Sequence, residues 1–198
     1  MKLETLTNAV KVIPVVVINE LDKAPQMLEG LMEGGIPAAE ITLRTPCAID
    51  AIKLACEKFP DMYVGAGTVI NAEQAEAAIN AGACFIVSPG LSASVAAVCR
   101  ERDVPYIPGC VTPTEIMQAL DLGITTVKFF PANVYGGLSA IKALAAPFTG
   151  VKFMPTGGVS YDNIKEFLEY DKIVAIGGSF MMKGDIAANC RRLKEIIG

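Results

Sequence analysis

Ile124-Thr125-Thr126-Val127-Lys128-Phe129-Phe130-Pro131 is a run of β-branched and aromatic residues with a single lysine inside it. Those residue types fit a pleated, half-buried surface, so the run predicts a strand over 125–129 with a proline just past its end. Alternation puts Thr126, Lys128 and Phe130 on one face and Val127 and Phe129 on the other. The second face is wholly apolar, as a strand requires where helices cover it. The first face then turns a cation toward whatever the sheet encloses. Burial disfavours an ammonium ion, and a neutral lysine amine is a nucleophile able to attack a ketone. The alternative is a lysine that lays its stem along an edge strand and keeps its head in water.

Seven further β-rich runs, at 12–18, 38–43, 62–65, 84–87, 105–107, 152–154 and 173–176, share the chain with the first. Between and after them lie helical stretches at 24–33, 48–58, 72–81, 92–101, 113–120, 138–145, 162–168 and 186–197, separated by Gly and Pro. Eight β-then-α units with no linker predict an α/β fold of the (β/α)8 TIM barrel type, one compact domain over 1–198. An open doubly wound sheet is the rival, but it has a Gly-rich turn after its first strand, and residues 12–21 contain no glycine.

The 198 residues are 52% hydrophobic and 19% charged, a composition that buries a substantial core and argues against disorder. The net charge of -4, with Lys and Arg scattered, argues against nucleic acid and anionic membranes as partners and favours a small-molecule ligand. The N-terminus mixes charges of both signs before no signal-like block, and the apolar run at 12–18 is far short of a membrane span, so a cytoplasmic location is expected. Cys47, Cys56, Cys84, Cys99, Cys110 and Cys190 form no C-x-x-C pair, which predicts reduced thiols packed as small hydrophobes. The chain has no histidine. That removes the commonest metal ligand and general base, and neither a metal nor a cofactor is expected.

A barrel does its chemistry at the C-terminal ends of its strands. On the second strand Glu40, Thr42 and Arg44 share a face opposite Ile41 and Leu43, so the interior is expected to gather Glu40, Arg44 and Lys128. Such charges are costly to bury unless paired or used; a cluster that only fixes packing is the other reading. The third, fourth and fifth strands end in Gly65-Ala66-Gly67-Thr68, Ser88-Pro89-Gly90 and Pro108-Gly109-Cys110, small residues that leave room for a ligand or simply turn the chain. The seventh and eighth end in Thr156-Gly157-Gly158 and Gly177-Gly178-Ser179, each read as preceding a helix start. Bare amides at a helix N-terminus attract anions, and the loops after these two strands commonly hold phosphate in barrels. Tight turns, with Ser179 as an N-cap, are the plainer alternative.

Glu40-Ile41-Thr42-Leu43-Arg44-Thr45, Gly65-Ala66-Gly67-Thr68-Val69, Ser88-Pro89-Gly90, Lys128-Phe129-Phe130-Pro131, Pro155-Thr156-Gly157-Gly158 and Ile176-Gly177-Gly178-Ser179 stand in register across nearly the whole chain. Together they resemble the 2-keto-3-deoxy-6-phosphogluconate (KDPG) aldolase family, also called 4-hydroxy-2-oxoglutarate (KHG) aldolase. The resemblance implies a metal-independent class I aldolase, usually a homotrimer, that cleaves a phosphorylated keto acid of the Entner-Doudoroff pathway to pyruvate and glyceraldehyde 3-phosphate. It implies Lys128 as the Schiff-base lysine, Glu40 as general acid and base, and Arg44 with Thr68 as the carboxylate clamp. Pro89 and Phe130 become an apolar wall, Thr156 a reader of hydroxyl configuration, and Gly157, Gly158, Gly178 and Ser179 the phosphate site. Residues 18–20, Ile-Asn-Glu, lack the basic residue some relatives carry there, and Arg44 matches gluconate-type members more than galactonate-type ones.

Three other classes compete. A metal-dependent aldolase would normally use histidine ligands. A sugar-phosphate isomerase or epimerase would need two inward acid/base groups, and one carboxylate stands out. A non-catalytic phosphate-binding protein would have no use for Lys128.

Overall fold

Strand β1 (Val12–Val16) is the hub of the sheet, pairing in parallel with β2 (Ala38–Thr42) on one side and β8 (Ile176–Gly178) on the other. In this computed structural model, which describes residues 2–198, the ladder continues through β3 (Tyr63–Gly67) and β4 (Phe85–Val87) to β5 (Tyr106–Ile107). Strands β6 (Thr126–Phe129) and β7 (Lys152–Pro155) form a separate parallel pair. Isolated bridges close the ring: Gly109 to Lys128 joins β5 to β6, while Phe153 to Ile173 and Thr156 to Gly177 join β7 to β8. The result is a (β/α)8 barrel.

Lys128 is itself part of that closure. Its amide donates to the Pro108 carbonyl at 2.7 Å and its carbonyl accepts from the Cys110 amide at 2.8 Å. The backbone beneath this lysine is therefore held to the β5 side at two points.

Helices α2 (Ala24–Glu33), α3 (Ala48–Lys58), α4 (Ala72–Asn80), α5 (Ala93–Glu101), α6 (Pro113–Asp121), α7 (Gly137–Ala145), α8 (Ile164–Leu168) and α9 (Ile186–Ile197) cover the outside. Four of these starts follow ordinary capping chemistry. Asn71, Ser92 and Asp185 each accept a first-turn amide, and Thr112 with Glu115 forms a capping box ahead of Pro113.

The barrel interior divides into two zones. The lower zone is apolar, built from Ile13, Phe85, Ile107, Met154 and Ala175, and is stoppered by Leu6 and Val10 at the end of α1 (Leu3–Ala9). The upper zone holds the buried polar residues Glu40, Thr42, Lys128 and Thr156.

Two expectations change. Helix α1 was not anticipated: it has seven residues and no capping side chain, so local propensity does not produce it, and burial of Leu6 does. Strand β8 runs later than 173–176, because Gly177 and Gly178 pair with Ile13 and Pro14 despite the poor strand propensity of glycine. Among the described residues no helix is long and apolar enough to cross a membrane.

Candidate active site

Register decides which side chains meet. Glu40 stands beside Gly65 in the β2–β3 ladder and Thr42 beside Gly67. A Cβ at Gly67 would overlap Oε1 of Glu40, so the missing side chain is the space in which the carboxylate lies. Ligand room and a plain turn were the two readings of these glycines; at Gly67 the room is taken by a side chain of the protein itself. Thr42 donates from Oγ1 to the Val16 carbonyl at 3.2 Å, fixing this end of β2 against β1.

Across the barrel, Lys128 Nζ lies 3.2 Å from Glu40 Oε1, with the two side chains only 5% and 1% exposed. The lysine that could have snorkelled does not. The other carboxylate oxygen, Oε2, is buried with no hydrogen-bond partner, an expensive condition that leaves an acceptor unused beside the lysine. The centre of the Phe130 ring lies 5.2 Å from Lys128 Nζ, and the ring covers one side of it.

Arg44 is not in the interior. Strand β2 stops at Thr42, and two residues later the arginine has reached the exposed rim, where Nε donates to Thr68 Oγ1 at 3.0 Å. Strand parity had placed it inside with Glu40, but the strand ends before that parity reaches it. Thr68 holds its hydroxyl there from a left-handed backbone, φ 59°.

Pro89 is exposed at the mouth, and Gly109 packs so closely beneath it that a Cβ would overlap the Pro89 carbonyl. The loop is tied down by Ser88 Oγ, which donates to the Val69 carbonyl, and by Tyr106, whose hydroxyl accepts from the Ser92 amide at 3.2 Å and donates to the Gly90 carbonyl at 3.4 Å. Tyr106 went unnoticed in the sequence because it reads as an ordinary strand aromatic. Burial raises its hydroxyl pKa, which keeps it a donor.

The bridge from Thr156 to Gly177 sets the ends of β7 and β8 side by side, so Gly157 and Gly158 neighbour Gly178 and Ser179. Gly157 and Gly158 have φ of 90° and 79°, open to glycine and costly for other residues. Ser179 and Gly158 are exposed, while Thr156 is buried with an unpartnered Oγ1 against Gly177. Neither glycine pair opens an α-helix directly: α8 starts only at Ile164, and a single 3-10 turn, Phe180–Met182, follows Ser179, which makes no capping bond. Turn chemistry, with Asn163 Nδ2 donating to the Gly158 carbonyl at 3.0 Å, intervenes.

A cavity of about 930 Å³ opens at the other end of the barrel, against α1 and the starts of β5 and β6, and is lined by none of the expected site residues. Among the described residues no three Cys, Asp or Glu side chains gather as a metal cage would require.

A closed (β/α)8 barrel with a buried lysine paired to a buried glutamate at its C-terminal mouth defines a class: barrel lyases that work through a lysine imine. Within it, the chain belongs to the KDPG and KHG aldolase family, whose model matches residues 3–196. The 2-dehydro-3-deoxy-phosphogluconate aldolase of Dickeya dadantii (strain 3937) is 42% identical over 182 residues, 92% of this chain and 85% of that protein. The crystal structure of the 2-keto-3-deoxy-6-phosphogluconate aldolase of Zymomonas mobilis ZM4 with 3-phosphoglycerate aligns with a TM-score of 0.92 and 38% identity, over 96% of this chain and 93% of that one. The KDPG aldolase of Legionella pneumophila, with pyruvate captured at low pH as a covalent carbinolamine intermediate, aligns with a TM-score of 0.91 and 38% identity, over 100% and 97%.

Proposed function

We propose that this chain is a class I aldolase that cleaves 2-keto-3-deoxy-6-phosphogluconate to pyruvate and glyceraldehyde 3-phosphate, and 4-hydroxy-2-oxoglutarate to pyruvate and glyoxylate. The observation that carries this reading is the buried contact of 3.2 Å between Lys128 Nζ and Glu40 Oε1. The proton that Lys128 must lose before it attacks has an acceptor within hydrogen-bond reach.

Lys128, having given a proton to Glu40, attacks the C2 ketone; Glu40 returns that proton to the C2 oxygen, then takes a second from the new C–N nitrogen and delivers it to the same oxygen, which leaves as water. The cationic imine draws the C3–C4 bonding pair toward nitrogen while Glu40 takes the C4 hydroxyl proton, and the aldehyde departs. Glu40 reprotonates C3 of the enamine, and water attacks the imine to release pyruvate and the free amine. Arg44, whose planar fork suits a carboxylate, and Thr68 hold the pyruvyl end. Pro89 and Phe130 shield the imine. Thr156 reads the hydroxyl configuration, and Gly157, Gly158, Gly178 and Ser179 bind the phosphate; the 3-phosphoglycerate in the Zymomonas relative supports a phosphorylated substrate.

The reading includes one catalytic domain over 1–198, a homotrimer, and a cytoplasmic location supported by six free thiols. Exposed Ile70, Val134 and Tyr135 on the loops after β3 and β6 supply apolar surface for assembly. Light scattering on the purified protein tests the trimer.

The direct test of the chemistry is incubation with pyruvate, reduction with borohydride and mass measurement. An irreversible gain on the Lys128 peptide, absent in Lys128→Met, is expected; no adduct would overturn the assignment.

A further inference from the structure

The loop between β2 and α3 is fastened to the chain two residues past the end of β1 by two side chains that share one acceptor. Thr45 Oγ1 donates to the Ile18 carbonyl at 2.6 Å, and Cys47 Sγ donates to the same oxygen at 3.2 Å. The two donor atoms are 3.7 Å apart. Ile18 is fully buried, so the anchor point is part of the core. The last backbone bond from this segment to a neighbouring strand is Leu43 N to the Gly67 carbonyl, 2.8 Å. Past it, Arg44 is exposed, and its one side-chain hydrogen bond among the described residues is the contact with Thr68.

A bidentate fork serves a planar carboxylate only if its stem is aimed. Arg44 sits between two fixed points: the Leu43 amide behind it and the Thr45 hydroxyl ahead of it. We propose that Thr45, with Cys47 in support, is a positioning residue that aims the Arg44 guanidinium at the carboxylate of the keto acid. Thr45 makes no contact with the reacting atoms; it acts through Arg44. The proposal rests on the aldolase reading above and adds a specificity element to its pyruvyl end.

The experiment is borohydride trapping of Lys128 at varied pyruvate concentration, in the full-length wild type and in Thr45→Val, Thr45→Ser and Cys47→Ala. Valine keeps the shape of threonine and removes the hydroxyl, while serine keeps it. Thr45→Val should need about tenfold more pyruvate for half-maximal labelling, the effect of weakening one hydrogen bond to a charged group. Its rate at saturating pyruvate should equal that of the wild type, because Lys128 and Glu40 are untouched. Thr45→Ser should restore the wild-type concentration dependence, and Cys47→Ala should shift it the same way by less. An unchanged half-saturation in Thr45→Val overturns the proposal, and so does a fall in the saturated rate alone, which would mean diffuse damage. Should Thr45→Val not fold, Cys47→Ala decides, since it removes the weaker donor. If the wild type takes no label at all, the aldolase reading has failed and the positioning role falls with it, an outcome separate from the others.

Discussion

Gly67 and Glu40 occupy one space: the glycine on β3 has no side chain where the glutamate on β2 lays its carboxylate. Gly67 does not adopt a positive φ, so its backbone accepts alanine and the conflict is purely steric. Gly67→Ala is expected to push the carboxylate away from Lys128. Turnover should fall by about 10²-fold, the scale of a displacement near 1 Å, with an overpacking cost of about 1 to 3 kcal/mol. Steady-state kinetics and a melting curve check both; full activity would show that the carboxylate need not lie where it does.

Glu40→Gln keeps the shape and removes the proton acceptor. The variant should still form the borohydride-trapped pyruvate adduct, while turnover drops by about 10² to 10⁴-fold, the range for loss of a general acid/base. Cleavage at the normal rate would reassign proton transfer to another group.

Thr156→Val removes a buried hydroxyl that has no partner in the free protein. Stability should hold or rise slightly, because no bond is lost on deletion. Discrimination between substrates epimeric at the C4 hydroxyl should collapse, since a site that hydrogen-bonds a hydroxyl rejects the wrong isomer strongly. The ratio of kcat/KM for the two epimers is the measurement, and an unchanged ratio would remove Thr156 from the specificity role.

Leu6→Ala opens the apolar stopper at the base of the barrel, where Leu6 is fully buried. The loss is about 2 to 5 kcal/mol, a melting-temperature drop on the order of 10 °C. Labelling of Lys128 by pyruvate should be unchanged below the transition, because the stopper and the Lys128–Glu40 pair belong to different zones.

Burial pushes the Cys99 and Cys110 thiols from 9.0 up to about 12. Cys84 and Cys190 rise to about 11 for the same reason. Between about pH 9 and pH 12 the unfolded chain sheds thiol protons that the folded chain keeps, so this part of the stability is whole below pH 9 and declines as pH rises. Melting temperature should fall from about pH 8 to about pH 10.5, and less steeply in a Cys99→Ala, Cys110→Ala double variant. Equal slopes would mean other groups govern the alkaline limb.

The fold was readable because helical and strand periodicities alternate cleanly along this chain, and several helix starts carry their own signals, as Thr112, Pro113 and Glu115 do at α6. Parity alone brought Glu40 and Lys128 to one interior. The remainder depended on distance. Arg44 lies where β2 has already ended, which no alternation rule foresees. Helix α1 exists through what Leu6 touches, not through its own propensity. Thr45 appeared only as a letter in a motif, because its role is a bond to a carbonyl twenty-seven positions earlier. The glycines of β8 looked like a turn, since their pairing with β1 is invisible until the ring closes.

Glu40 and Lys128 are 88 residues apart in sequence. A fragment ending after β5 would own the carboxylate and no amine; one starting at β6 would own the reverse. Covalent capture of pyruvate is therefore a chemical clock for assembly of the whole ring: during refolding, competence to take the label should emerge only after the first and second halves of the chain have met.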